Sequence, residues 1–137
     1  MERKDLQELS RIRLKEAKAL LAAGMSDGAY YLAGYAVECA FKACIAKGTK
    51  RYEFPDKGRV ESSYTHKLPD LVKVAGLERA LAELASKSPE FRANWAFVKS
   101  WTEHSRYQRH QPQEAEQLLA AVGDRRHGVI SWIKVYW

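Results

Sequence analysis

Apolar residues recur every three or four positions over residues 5–23, at Leu6, Leu9, Leu14, Ala17, Leu20 and Leu21, with Lys, Arg and Glu between them. That period predicts an amphipathic helix. Gly24 stands where a left-handed residue commonly ends a helix. Ser26 or Asp27 is placed to cap the next helix by accepting from an early backbone N–H. Residues 28–47 predict a second helix of different character. Ala29, Ala33, Ala36, Ala40 and Ala43 form a small-residue stripe, and Tyr30, Val37, Phe41 and Ile45 add a larger apolar face. A helix apolar around most of its circumference belongs in the middle of a bundle. The alanines let neighbouring helices approach closely.

Gly48 closes that helix, and residues 49–65, with Pro55, Gly58 and a Ser-Ser pair, predict a long surface loop. Residues 66–76 predict a short helix with Pro69 in its first turn, and residues 77–87 a short amphipathic one. Ser88-Pro89 begins another that runs to about Trp101 and carries Phe91, Trp95 and Val98. Residues 102–112 are polar and have no apolar period. Helix resumes over 113–122 through Ala115, Leu118, Leu119 and Val122. The tail from Val129 to Trp137 is apolar enough to dock on the body, and with no partner strand it predicts a last helical turn. No stretch alternates in the manner of a strand, so the chain reads as all-α.

A length of 137 residues with 46% hydrophobic and 29% charged residues fits a single domain, 1–137, with one core. Such a chain needs neither disulfides nor a structural metal to fold. No apolar run approaches the length of a bilayer span. The N-terminal residues lead straight into the amphipathic pattern, with no signal peptide. Cys39 and Cys44 are five positions apart, on different faces of a helix, and read as buried reduced thiols. These features together predict a cytoplasmic protein without a membrane partner. The net charge of +6 is spread along the chain, which permits contact with nucleic acid without demanding it.

Several chemistries lack their residues. There is no glycine-rich phosphate loop, no paired CxxC, no HExxH and no nucleophile elbow around Ser63 or Ser105. His66, His104, His110 and His127 have no metal-ligand spacing, so neither a metal nor another cofactor is expected. Polar function concentrates in His104-Ser-Arg106-Tyr107-Gln-Arg109-His110. Guanidiniums bind phosphate bidentately, an imidazole moves a proton near neutral pH, and a tyrosine stacks on a base. Metal-free RNA cleavage needs such a set; a solvated loop between helices has the same composition. Glu38 and Lys42 interrupt the apolar second helix one turn apart, the spacing of an ion pair, and a buried acid there needs a partner or a task.

Three blocks then resemble the HEPN family. The run Tyr30-Tyr-Leu-Ala-Gly-Tyr-Ala-Val-Glu38-Cys-Ala-Phe-Lys42 resembles the family's second helix. Tyr64-Thr-His66-Lys-Leu resembles the start of its next helix, and Asn94-Trp95 through Trp101 to Ser105-Arg106-Tyr107 resembles the close of a later one. The resemblance implies a compact bundle of four to five helices, a homodimer, and binding of RNA or nucleotides. Many members are metal-independent endoribonuclease toxins paired with a nucleotidyltransferase-type antitoxin, and others are non-catalytic binding or scaffolding modules. It implies Arg106 and His110 as the catalytic pair, although three residues separate them here where the family signature has about four to six. Arg109, Tyr107 and His104 would support RNA or nucleotide binding. Glu38 and Lys42 would hold the bundle together, with Glu38 a candidate to orient the active-site arginine. His66 would cap the following helix or bond a backbone carbonyl. A third reading is a helical adaptor whose exposed Trp132 and Trp137 form an interface.

Overall fold

A computed structural model describes residues 1–48 and 64–137. The predicted loop over 49–65 therefore lies outside the described residues, except for Tyr64 and Thr65. The described chain is all-helical: α1 (Arg3–Ala22), α2 (Ser26–Lys47), α3 (Leu68–Val74), α4 (Glu78–Lys87), α5 (Pro89–Val98), a 3-10 turn (Glu103–Tyr107), α6 (Pro112–Gly123) and α7 (Val129–Ile133). The 3-10 turn lies within the polar 102–112 stretch, which the hydrophobic period could not assign. Among the described residues no helix is long and apolar enough to cross a membrane.

Glycine geometry sets two of the helix ends. Gly24 (φ +80°) and Gly76 (φ +72°) take the left-handed conformation. In both cases the next amide reaches back to close the last turn, Met25 N to Leu20 O at 2.8 Å and Leu77 N to Val72 O at 3.0 Å. This is the Schellman closure that a Cβ disfavours. The expected cap on α2 is absent, because the Ser26 and Asp27 side chains are engaged elsewhere, as described below.

As its composition predicts, α2 is the central helix. It packs on α1, α3, the 3-10 turn, α6 and α7. Ala29, Ala33, Ala36, Ala40 and Ala43 are fully buried. Aromatic side chains fill the space around it. Phe41 meets Trp95 and Trp132 edge-on at centroid separations of 6.1 and 6.3 Å, and Phe91 lies 5.4 Å from Trp132. Trp132 is thus a core residue rather than an exposed interface group. The sequence hid this because its partners come from α2 and α5. Trp137 is half-buried: the Arg11 guanidinium lies over its ring at 5.0 Å, and Gln7 donates to its carbonyl at 2.7 Å.

Trp101 and Gly34 approach each other closely in the core. Trp101 is buried, and its indole lies against the Gly34 Cα so closely that a Cβ there would overlap the ring. Gly34→Ala is therefore expected to cost about 3 kcal/mol through overpacking, despite the better helix propensity of alanine. Gly28→Ala, which meets only the flexible end of Leu20, should be nearly neutral. Urea unfolding of the two variants tests the contrast.

Cys39 and Cys44 are free and buried. Burial pushes both thiols up to about 11, and the neighbouring Glu38 adds to the effect at Cys39. Unfolding returns them to about 8.5. Their contribution to stability is complete below that value and is lost as pH rises through about 11. The urea midpoint should therefore fall between pH 8 and pH 11 more steeply in the native protein than in the Cys39→Ala/Cys44→Ala double variant.

Candidate functional site

Glu38 lies on α2 among buried apolar residues, with its side chain only 3% exposed. Lys42, one turn on, donates to Glu38 Oε2 at 3.1 Å, the ion pair that the spacing predicted. A second donor comes from a distant part of the chain. His66 Nδ1 lies 3.1 Å from Oε1 and 3.0 Å from Oε2 of the same carboxylate. A carboxylate only accepts, so Nδ1 carries the hydrogen of this bond. His66 therefore neither caps α3 nor bonds a carbonyl: the start of α3 has no side-chain cap, and the ring is spent on Glu38. Glu38 orients this histidine; among the described residues its side-chain contacts are Lys42 and His66.

The other His66 nitrogen, Nε2, faces Glu103 Oε2 of the 3-10 turn at 3.3 Å. The imidazole thus lies between a buried carboxylate and a partly exposed one. It borders a cleft of about 280 Å³ lined by Thr65, His66, Lys67, Thr102, Glu103 and His104. The lining residues carry two imidazoles, an ammonium, two hydroxyls and one carboxylate, although most of the surface they present to the cleft is apolar. Because the two glutamates flank opposite ring nitrogens, they do not converge on one point. Among the described residues no group of three or more His, Cys, Asp or Glu is arranged to hold a metal ion.

The 3-10 turn joins this cleft to an exposed cationic surface. His104 lines the cleft, and two residues later Arg106 and Tyr107 are exposed. The Arg106 guanidinium lies over the Tyr107 ring, 4.8 Å from its centroid, and that ring is 76% exposed. Arg109 is exposed as well. The turn is held from below by Trp101, whose backbone N–H donates to Val98 O at 3.0 Å and whose ring stacks 6.0 Å from Tyr31.

His110 has a different environment. Its ring stacks on Tyr30 with centroids 3.7 Å apart and planes 11° from parallel. Nδ1 contacts Glu114 Oε1 at 2.6 Å and Nε2 faces the Ser105 carbonyl at 3.3 Å. Its side chain is 7% exposed. Burial raises the Tyr30 hydroxyl above its ordinary value, and the nearby Glu114 adds to this. The His110 backbone is clamped too. Ser26 Oγ donates to its carbonyl at 2.8 Å, and its N–H donates to Asp27 Oδ1 at 2.5 Å. These are the side chains expected to cap α2. They instead pin a residue more than 80 positions away, a pairing that no local spacing announces. The ring of His110 folds back toward Ser105, while Arg106 faces outward over Tyr107.

Sequence reasoning missed Glu103, which appeared only as part of a polar stretch, and Thr65, Lys67 and Thr102, which line the cleft. Their signal is tertiary, arising where the start of α3 meets the 3-10 turn. Asp27→Ala removes the acceptor of the His110 amide and is expected to cost about 1 kcal/mol. It should also speed hydrogen exchange at residues 105–111 relative to the α1–α2 pair, which mass-resolved exchange measures. Compared with known proteins, the chain matches no family model, no curated protein and no solved structure.

Proposed function

We propose that the chain is an RNA- or nucleotide-binding protein of HEPN type that presents Arg106, Tyr107, Arg109 and His104 to its ligand. The observation that carries this reading is the exposed guanidinium of Arg106 over the exposed Tyr107 ring, on the turn that also borders the cleft beside His66. An aromatic face and a planar cation together suit a base and its phosphate. The distributed excess of positive charge adds long-range attraction for a polyanion. The family's pairing of two protomers and of a toxin with a nucleotidyltransferase-type antitoxin belongs to the same reading, and exposed Ile12 and Val135 offer apolar surface for a homodimer.

Within this reading the geometry at the Arg106–His110 pair favours binding over ribonuclease chemistry. The His110 ring is stacked against Tyr30 and its side chain is only 7% exposed, so it serves the turn rather than a substrate. A metal-independent endoribonuclease would need another imidazole for proton transfer.

Fluorescence anisotropy with a labelled 20-nucleotide single-stranded RNA at low salt tests the proposal. Arg106→Ala and Tyr107→Ala are each expected to weaken binding about tenfold, in keeping with about 1–3 kcal/mol per stacked base. Arg126→Ala, outside this segment, should change it little. Affinity should fall steeply as salt rises. Equal affinity of all three variants, or no affinity at low salt, would reject the reading.

A further inference from the structure

We infer that His66 is the acid/base group of a phosphodiester cleavage centre in the cleft beside the Arg106–Tyr107 surface, with the buried Glu38 as its positioning residue. The inference rests on the RNA reading above and assigns the proton-transfer step within it.

A general base needs one nitrogen fixed and the other reachable. His66 meets both requirements. Its Nδ1–H is held by both oxygens of Glu38, at 3.1 and 3.0 Å, and Lys42 donates to one of those oxygens at 3.1 Å. This fixes the tautomer and the ring plane and leaves Nε2 as the nitrogen that exchanges a proton. The side chain of His66 is 42% exposed, whereas Glu38 is 3% exposed. A buried carboxylate behind an accessible imidazole is the arrangement by which an acid orients a base without itself meeting the substrate. Glu103 reaches Nε2 at 3.3 Å from a side chain 35% exposed, on a turn of five residues. A ribose hydroxyl entering the cleft takes the place of that carboxylate.

The lining favours a phosphodiester as the substrate. Lys67 supplies positive charge and Thr102 a hydroxyl, while the Thr65 hydroxyl already donates to Asp70 at 3.4 Å. The stacking surface for a neighbouring base begins at Arg106, two residues beyond His104. In the step, His66 Nε2 takes the proton of a ribose 2′-hydroxyl. The 2′-oxygen bonds to the adjacent phosphorus, the bond from phosphorus to the 5′-oxygen breaks, and the departing oxygen takes a proton from water. The products are a 2′,3′-cyclic phosphate and a 5′-hydroxyl. His66 then releases its proton to solvent, so atoms and charge balance without a further reactant.

The test uses the purified full chain with a 20-nucleotide single-stranded RNA, following cleavage and anisotropy together. The native protein is expected to cleave and leave 2′,3′-cyclic phosphate ends. His66→Ala should bind RNA within about twofold of the native protein and cleave at least 100-fold more slowly, and added imidazole should restore part of that rate. A merely structural role would give no such rescue. Glu38→Gln should lower kcat with little change in KM; if it fails to fold, the half-exposed His66 variant carries the test alone. Binding without cleavage by the native protein overturns this inference and leaves the RNA-binding reading standing. Cleavage that survives His66→Ala, or that is lost without imidazole rescue, also overturns it. Absence of RNA binding removes both readings.

Discussion

A carboxylate buried in an apolar helix is the constraint from which the candidate site follows. Glu38 sits between Val37 and Cys39 on the central helix and is almost wholly removed from solvent. An unpaired charge there would cost several kcal/mol. Lys42 is available as soon as α2 forms, because it lies one turn along the same helix. The second partner, His66, is 28 residues further on. The chain satisfies that side of Glu38 only by laying the segment before α3 against α2. Glu103 then approaches the outer nitrogen of the same ring, which brings in the 3-10 turn. Compensation of one buried charge thus sets the register of three pieces of chain and forms the cleft where they meet.

Shape does for the apolar side what charge does for the polar side. Trp101 is the last large residue before the polar stretch, and its indole fits only because position 34 has no side chain. Its indole Nε1–H is buried without a hydrogen-bond partner among the described residues. Such a group costs about 1–3 kcal/mol, so the packing of the ring against α2 must offset that loss. The placement matters for function because the chain leaves Trp101 directly into Thr102, Glu103 and His104 on the wall of the cleft. A tryptophan anchored on one glycine therefore decides where the polar turn begins.

The helices were legible because their signal is local. Apolar spacing located α1, α2 and the four helices from α3 to α6, and the composition of α2 placed it at the centre. The Glu38–Lys42 pair was legible for the same reason, since four residues on a helix is a contact distance. The partner of His66 was not legible. A threonine and a histidine before a helix read as capping groups, and only the tertiary fold brings a glutamate from α2 within reach. Ser26 and Asp27 misled in the same way. They have the chemistry of an N-cap, but His110 offers them a carbonyl and an amide that compete successfully. Trp132 was read as exposed because its aromatic partners, Phe41 and Phe91, lie 91 and 41 positions earlier. In each case the residue type was informative and its partner was remote.

The histidines illustrate why proximity in sequence ranks candidates poorly. His110 lies beside two arginines and a tyrosine and matches a known pattern, yet its nitrogens face Glu114 and the Ser105 carbonyl beneath a stacked ring. Those contacts suit a residue that braces the end of the 3-10 turn. His66 lies in a stretch that sequence reads as a helix start, yet it has one nitrogen fixed by a buried acid and the other facing the partly exposed Glu103 at the edge of a cleft. On the proposed reading the two divide the work expected of a single catalytic histidine. One keeps Arg106 and Tyr107 presented at the surface. The other has the orientation that proton transfer requires. Binding and chemistry at this site would then depend on different histidines, joined by the few residues of the turn between them.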